Sequence, residues 1–381
     1  MSEAPPYRRI MSGEAGLWAA PLRAGLWAAS CAYAAVVGLR NRRYDRNPSR
    51  VERLPVLVIS VGNITTGGTG KTPLVIDLVD RLRSRGRRPA VVSRGYRAQP
   101  NRVGDELLLV RRRAAEVITE ADPDRVTGGL RAVARGADVI VLDDAFQHRR
   151  VHRDLDLVVI DATCPFGHGH VLPRGLLREP INGLARADLI VLSRTDAAQS
   201  DHIEAIDDCL RRCNAEAPIL RSCHRATHVS KLDGGRADLE TLRGQPVVCV
   251  AGIGNPDAFV RTVEQVGATP LHTVRLPDHA SYDAAVYKSL EAVTKRFPDA
   301  KYLVTTEKDL VKLEPGRWAV FPLPIAAVVI DIDVTREDGR ILDAALDRLI
   351  AQARNDHRTG WKAGLTEDGD ARQSVQTDRS E

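Results

Sequence analysis

The chain has 381 residues, of which 43% are hydrophobic, a length that accommodates about two domains of ordinary size. Its six cysteines, at positions 31, 164, 209, 213, 223 and 249, contain no CxxC pair and no spacing suited to zinc. A disulfide framework and a structural zinc site are therefore excluded as organising features. We expect inert thiols in a reducing cytoplasm.

The net charge of +5 is confined to the N-terminal segment. Residues 1–53 carry nine arginines against four acidic residues, whereas the rest of the chain carries 46 basic and 46 acidic groups. An uncharged apolar run at 24–39 precedes the arginines at 40–53 and is shorter than the roughly 20 residues that span a bilayer. An apolar helix followed by arginines suits an anionic membrane surface. We expect 1–53 to associate with a membrane; the alternative is a helix packed on the protein body.

Nucleic acid is not an expected partner, because the basic segment lacks interleaved aromatic and glycine-rich structure.

In chain order, the first predicted strand, 56–61, leads into a glycine-rich segment and then a predicted helix at 73–85. This order is typical of a phosphate-binding loop, in which backbone N–H groups, a lysine and a hydroxyl bind phosphate and Mg²⁺. The residues expected to bind nucleotide phosphates are Gly67, Gly68, Thr69, Gly70, Lys71 and Thr72, with Thr72 also binding Mg²⁺. Thr65 stands where the strict pattern has its first glycine, and we expect Gly67 and Gly68 to compensate. The segment predicts a nucleoside triphosphate site.

Strand-like and helical patterns alternate along the rest of the chain, which predicts an α/β fold with a doubly wound parallel sheet of the P-loop NTPase type. Further strands are expected at 89–93, 138–142, 156–161, 187–192 and 218–223, and helices at 125–135 and 199–213. After a turn-rich stretch at 224–245, strands are expected at 247–251, 301–306 and 325–332, and helices ending near 266, at 283–296 and at 339–353.

We therefore predict four parts: the membrane-associating segment at 1–53, a P-loop core at 54–244, a smaller C-terminal α/β lobe at 245–353, and a disordered tail at 354–381.

Two carboxylates, Asp143 and Asp144, end the predicted strand at 138–142. Mg²⁺ prefers carboxylate oxygens, and a phosphate-binding loop needs a metal-binding partner of this kind. A single aspartate there could equally be a helix cap. Two in succession, downstream of the glycine loop, favour a metal site.

Several short segments occur in an order that is more specific than any one of them. They are DDAFQH at 143–148, RDL at 153–155, VGN at 61–63, SRGY at 93–96, GDE at 104–106, LREP at 177–180, PDH at 277–279 and TTEKD at 305–309. Together they resemble the tetraacyldisaccharide 4′-kinases, the lipid A kinases, in that family's order from about residue 14 to 350. Two departures from the family pattern stand out. Ala145 replaces a glycine, and the link from Tyr96 to Asp105 is short.

The resemblance implies transfer of the γ-phosphate of ATP, with Mg²⁺, to the 4′-hydroxyl of a tetraacylated glucosamine disaccharide 1-phosphate. It places this activity at the cytoplasmic face of the bacterial inner membrane, with the lipid disaccharide and the anionic membrane surface as partners and no obligate protein partner.

The resemblance also assigns roles to individual residues. It implies Asp105 as general base paired with His279, Arg178 near the transferring phosphate together with Lys71, and Glu179 as an additional Mg²⁺ ligand. From spacing alone, Asp105 would be a solvated loop residue, His279 a capping or core histidine, and Arg178 with Glu179 an ordinary surface pair.

A second hypothesis comes from a different class. The chain could be a non-catalytic P-loop nucleotide switch or assembly factor, in which 193–196, with the sequence SRTD, reads as a degenerate guanine-selecting motif.

Overall fold

The structure is a computed structural model that describes residues 10–11, 16–95 and 104–359, without the side chains of Leu17 and 354–359. The expectations for Tyr96, for the short link at 97–103, for the first arginines of the basic segment and for the tail beyond 359 lie outside these residues.

The chain begins with a long helix, α1 (Ala20–Arg46), which extends beyond both ends of the apolar run at 24–39. Within it only Ser30 and Val37 are buried, so most of its surface faces outward. By length and composition α1 could cross a membrane, and only 11% of its most apolar window is buried. It is attached to the body by polar contacts, such as the Ser30 hydroxyl donating to the Val171 carbonyl at 2.9 Å.

Among the described residues, twelve strands form one continuous sheet in the order β10-β9-β11-β12-β7-β6-β5-β1-β4-β2-β3, with β8 paired to β7. The strands are β1 (Leu57–Gly62), β2 (Pro89–Ser93), β3 (Ile118–Ala121), β4 (Val139–Asp143), β5 (Leu155–Asp161), β6 (Leu189–Ser193), β7 (Ile219–Lys231), β8 (Arg236–Ala237), β9 (Pro246–Ala251), β10 (Thr269–Arg275), β11 (Tyr302–Thr306) and β12 (Ile325–Val334). The further helices are α2 (Lys71–Ser84), α3 (Asp105–Arg113), α4 (Arg125–Ala134), α5 (Ser200–Cys213), α6 (Pro256–Gln265), α7 (Ala284–Arg296), α8 (Glu307–Leu310), α9 (Pro315–Trp318) and α10 (Arg336–Thr359).

The predicted α/β fold of the P-loop type is confirmed. β1 lies between β4 and β5 and pairs with both in parallel. At the carboxyl end of β1 the strand order changes direction, which leaves a crevice at that edge of the sheet. Such a position is where open parallel sheets bind ligands. Fully buried Val, Ile and Leu side chains on both faces of β1, β4 and β5 explain why these strands read as continuous apolar runs.

The prediction of turns from 224 onward was wrong for residues 224–231. β7 pairs with β6 in parallel at Ile219–Arg221 and then runs antiparallel to β12, so it belongs to both halves of the sheet. This second part alternates polar and small side chains, because one of its faces is exposed, and it lacks the apolar signal of a buried strand. The short elements α3, β3 and β10 were also missed, each being polar or only half-buried.

The last helix, α10, packs on the P-loop half rather than on the smaller lobe to which its sequence was assigned. Its Leu342, Leu346, Leu349 and Ile350 join the hydrophobic core beneath α2 and β1. Arg85, directly after α2, reinforces the contact through ion pairs with two aspartates of α10. The helix also continues through 354–359, so the expectation of a disordered tail was wrong for those residues. The division of the chain near 245 stays a prediction.

This packing predicts that a truncation in α10 destabilises the P-loop half. Leu346 is fully buried, so Leu346→Ala should lower the free energy of unfolding by about 2–5 kcal/mol through lost burial and a residual cavity. Urea denaturation followed by circular dichroism measures this change. Gln352→Ala, at an exposed position of the same helix, is the matched control. Equal stability of the two variants would show that α10 is not part of this core.

Candidate active site

The glycine loop lies between the end of β1 and the start of α2, as its sequence predicted. Gly67 and Gly70 have φ angles of 117° and 87°, the left-handed region that favours glycine. The Asn63 amide donates to the Thr69 hydroxyl at 3.0 Å, and the Ser193 hydroxyl donates to the Thr69 carbonyl at 2.9 Å. Asn63 and Ser193 therefore fix the conformation of the loop through Thr69. The loop lies directly before the N-terminus of α2, where free backbone N–H groups favour the binding of anions.

Thr65 fits where the strict pattern has glycine, because the backbone there is extended and not left-handed. It forms a β-bridge with Leu177, next to a hydrogen bond from the Thr66 N–H to the Leu176 carbonyl at 2.8 Å. The same pairing continues to Arg178, whose N–H donates to the Ile64 carbonyl at 2.7 Å. The arginine is therefore fixed alongside the glycine loop.

Asp144 forms one ion cluster with two other predicted site residues, Lys71 and Arg178. Its carboxylate lies 3.2 Å from the Lys71 ammonium and 2.8 Å from the Arg178 guanidinium. Burial opposes ionisation of this carboxyl, but Lys71 and Arg178 outweigh it and lower its pKa to about 2. Asp144 has a φ of 53°, so the left-handed residue of this turn precedes Ala145, which explains why Ala145 tolerates a Cβ.

Asp143 has the opposite electrostatic environment. It is the last residue of β4, is only 4% exposed, and has one carboxylate oxygen, Oδ1, without a hydrogen-bond partner. Burial raises its pKa to about 7, against the attraction of Lys71 and with the repulsion of Asp144 adding to it. A buried, unpartnered carboxylate oxygen is costly unless a cation or proton satisfies it.

These residues fit a magnesium ion that would be bound together with phosphates. Among the described residues no three His, Cys, Asp or Glu side chains form a cluster able to hold a metal by themselves. Mg²⁺ in phosphoryl-transfer sites is held by one or two carboxylates with substrate phosphates and water completing the shell. The unpartnered oxygen of Asp143, the adjacent Asp144 and the Thr72 hydroxyl at the start of α2 supply that type of set.

Glu179, also predicted to bind Mg²⁺, is held by protein donors in the structure. Its side chain is fully buried, and its carboxylate accepts hydrogen bonds from Asn41 on α1, from Gln147 at 2.9 Å and from Arg186 at 2.8 Å. Both oxygens are thus engaged by protein donors, and Glu179 does not line the central cavity. Its role as a Mg²⁺ ligand stays a prediction. The structure uses it to join α1 to the loop that bears Arg178.

Asp105 and His279 lie together, although 174 positions separate them along the chain. Nδ1 of His279 is 3.0 Å from Oδ2 of Asp105, and the Lys312 ammonium is 3.1 Å from the same oxygen. Asp105 is the first residue of α3 and its side chain is 18% exposed, so it is not a solvated loop residue. Burial acts to raise the pKa of Asp105, but His279, Lys312 and Lys308 lower it below its ordinary value.

One cavity of about 1140 Å³ connects the glycine loop with the smaller lobe. The predicted site residues that line it are Gly67, Gly68, Thr69, Gly70, Lys71, Thr72, Asp143, Asp144, Arg178 and His279. Asp105 is not among the lining residues, but the next residue, Glu106, lines the cavity, and Asp105 contacts the lining residue His279. The cavity therefore connects the phosphate-binding residues of the P-loop half with His279 of the smaller lobe.

The SRTD segment at 193–196 braces the glycine loop. Ser193 holds Thr69 as described, Arg194 donates to the Gly68 carbonyl at 2.9 Å, and the same guanidinium pairs with Asp161. These contacts give Ser193 and Arg194 a structural role in supporting the glycine loop, which does not require the binding of a guanine base.

Sequence reasoning missed two charged residues of this region. They are Lys312, which binds Asp105, and Arg113 on α3, whose guanidinium donates to the carboxylate of the buried Glu307 at the start of α8. Lys312 stands three residues after Asp309, a spacing that puts both on one face of a short helix, but nothing local shows that either faces Asp105. The contact between Lys312 and Asp105 depends on the packing of α3 against the smaller lobe.

Comparisons with known proteins agree with this arrangement. The family model described as tetraacyldisaccharide-1-P 4′-kinase matches residues 22–350. A tetraacyldisaccharide 4′-kinase of Anaeromyxobacter dehalogenans is 39% identical over 350 residues, covering 86% of this chain and 90% of the relative. One from Syntrophus aciditrophicus is 40% identical, covering 76% of this chain and 84% of the relative.

A solved structure is similar throughout. It is the crystal structure of LpxK from Aquifex aeolicus in complex with ATP, which superposes with a TM-score of 0.67 at 26% identity and covers 86% of this chain and 99% of that one. The nucleotide-switch hypothesis is not favoured by any of these relatives. The chain belongs to the tetraacyldisaccharide 4′-kinase family.

Proposed function

We propose that the protein transfers the γ-phosphate of ATP to the 4′-hydroxyl of a tetraacylated glucosamine disaccharide 1-phosphate. The observation that carries the proposal is the cavity that joins the Lys71–Asp144–Arg178 cluster to His279, which contacts Asp105. Membership of the family supports the acceptor, and the ATP complex of the Aquifex relative supports the donor.

In the proposed mechanism the loop amides and Lys71 hold the β- and γ-phosphates, and the Arg178 guanidinium offsets the charge that develops on the transferring group. Bound Mg²⁺, held through Thr72, Asp143 and Asp144, would neutralise phosphate charge. Asp105 accepts the proton of the 4′-hydroxyl as that oxygen attacks the γ-phosphorus and the bond to the ADP oxygen breaks. His279 donates its Nδ1–H to the other side of the Asp105 carboxylate and so orients it.

The function is tested by incubating the purified protein with labelled ATP and the detergent-dispersed lipid disaccharide 1-phosphate. We expect label in the lipid, and we expect Asp105→Asn to reduce kcat by about 10²–10⁴-fold while MgATP still binds, because only the proton acceptor is lost. A nucleotide switch would instead prefer GTP, show no lipid-dependent turnover and be little affected by Asp105→Asn. Absence of lipid labelling under conditions where an established family member is active would overturn the proposal.

The unequal aspartates predict proton release when MgATP binds. At about pH 6 Asp143, with its pKa near 7, holds a proton that Mg²⁺ must displace, because metals bind the ionised carboxylate. Calorimetry in two buffers of different ionisation enthalpy should therefore show a net proton released, and the affinity should rise as the pH passes through 7. Asp143→Asn should abolish the release, whereas Asp105→Asn should retain it, since the pKa of Asp105 is already low. Unchanged release in Asp143→Asn would remove Asp143 from the metal site.

We also propose that α1 attaches the protein to the cytoplasmic face of the bacterial inner membrane. Large apolar side chains of α1 and the turn before it are exposed, namely Trp18, Leu22, Trp27, Val36 and Leu39. Arginines 40, 42, 43 and 46 follow on the same helix and suit anionic headgroups. Because Tyr33 also donates to the Arg178 carbonyl at 2.9 Å, the membrane contact would lie close to the site.

The membrane proposal is tested by flotation with phosphatidylglycerol-containing vesicles. Trp27 and Val36 are 56% and 66% exposed, so the double change Trp27→Glu, Val36→Glu should abolish co-flotation without unfolding the protein. Val320→Glu, at a 76% exposed valine of the smaller lobe, is the matched control and should float like the unaltered protein. If the double variant still floats, α1 serves only as a packing helix.

A further inference from the structure

The Asp105 carboxylate has a second cationic partner besides His279. The ammonium of Lys312, which follows α8 in the smaller lobe, lies 3.1 Å from Oδ2 of Asp105, the oxygen that Nδ1 of His279 also approaches. Both donors thus converge on one oxygen. Among the described residues no donor is found for Oδ1, which leaves that oxygen to accept a proton.

The position of Lys312 is fixed by the fold. Its ammonium donates hydrogen bonds to Oδ1 of Asp309 at 2.9 Å and to the Ala280 carbonyl at 3.4 Å, and it forms the ion pair with Asp105 at 3.1 Å. The Lys312 side chain is 8% exposed and packs over the ring of Tyr282. A lysine buried to this extent and held by three oxygen partners is fixed in position, unlike a mobile surface lysine.

Asp309 in turn anchors the lysine to the sheet. It is completely buried, and its Oδ2 accepts the Gly252 N–H at 2.9 Å and the Thr306 hydroxyl at 2.8 Å, at the ends of β9 and β11. The His279 N–H donates to the Gly252 carbonyl at 3.2 Å. Lys312 and His279 are therefore both attached to the same edge of the smaller lobe, at the ends of β9 and β11. From there both side chains contact Asp105 on α3.

We propose that Lys312 is a positioning residue for the proposed base: with His279 it binds Oδ2 of Asp105, directs Oδ1 toward the acceptor hydroxyl and keeps the carboxylate ionised. This inference rests on the proposed function for its catalytic consequence, but the contact itself is independent of that function.

The charges around Asp105 agree with this role. On the cationic side are His279, Lys312 and Lys308, and on the acidic side are Glu106, Asp278 and Asp309, with the Tyr282 hydroxyl also near. Lys308 is paired with Glu106 at 3.1 Å, so part of its charge is already balanced. Lys312 is the ammonium in direct contact with Asp105 among the residues described. It contributes to lowering the pKa of that carboxyl.

The experiment compares Lys312→Met, which removes the charge but keeps the length, with Lys312→Arg, which keeps the charge. The first measurement needs no substrate: the ¹³C chemical shift of the Asp105 carboxyl, in protein labelled at aspartate carboxyl carbons, is followed against pH and assigned by its loss in Asp105→Asn. We expect the Asp105 titration to move to higher pH in Lys312→Met and to stay near the original position in Lys312→Arg. A thermal melt verifies that each variant is folded.

The second measurement is kinase activity against pH. Lys312→Met should lose about tenfold or more in kcat with KM for ATP little changed, and its acidic limb should move to higher pH. Lys312→Arg should keep the acidic limb of the original protein, even if the larger head group reduces kcat. Lys295→Met, which removes the lysine of an exposed ion pair on α7, should change neither property.

The outcomes separate this inference from the proposed function. If the unaltered protein labels no lipid, the proposed function fails, and the carboxyl titration still decides whether Lys312 controls Asp105. If the original protein is active but neither the titration nor the acidic limb moves in folded Lys312→Met, the inference is overturned. A fall in activity that is equal at every pH, with an unmoved titration, would likewise overturn it by showing a packing role only.

Discussion

The ion pair between Lys71 and Asp144 is the contact around which the site is organised. It joins the first residue of α2 to the residue after β4, and it exists because β1 and β4 are parallel neighbours whose carboxyl ends meet at one edge of the sheet. Arg178 binds the same carboxylate and is held beside the glycine loop by backbone pairing. With two cations around it Asp144 stays ionised, and its charge in turn helps to keep the neighbouring Asp143 protonated up to about pH 7. Two adjacent aspartates thus acquire different chemistry from burial and partners alone.

The second constraint is that the site is divided between two halves of one sheet. β7 and β12 join the halves, and α3, which begins with Asp105, extends from the P-loop half toward the smaller lobe. Its ion pairs with that lobe include those of Asp105 with Lys312, Glu106 with Lys308 and Arg113 with Glu307. The proposed base is therefore carried by one half of the molecule and oriented by the other. Any change in the relative position of the halves would alter both the cavity and the partners of Asp105.

The N-terminal helix α1 is hydrogen-bonded to the loop that carries Arg178. Tyr33 binds the Arg178 carbonyl, and Asn41 binds Glu179, whose carboxylate also receives Gln147 and Arg186. Glu179 is the buried junction between α1 and the arginine loop, and its role as a metal ligand stays a prediction. An α1 seated on a membrane surface would thus fix the position of Arg178 relative to that surface, which is where a lipid acceptor would be presented.

The sequence by itself determined the P-loop fold, the strands on both sides of β1, the glycine loop and the aspartate pair. Each of these is a local signal: continuous apolar runs mark strands buried on both faces, and left-handed glycines mark a loop that approaches phosphate. The family motifs added Asp105, His279 and Arg178. Local sequence could not supply the rest, because the second half of β7 is stabilised by pairing with a strand about 100 residues away, and α10 packs on a core far from it in the chain. The tertiary structure alone decided that Glu179 is buried among protein donors, that Asp143 and Asp144 differ in pKa, and that Lys312 binds Asp105. Burial and charge at a residue are set by neighbours remote in sequence, so no local pattern records them.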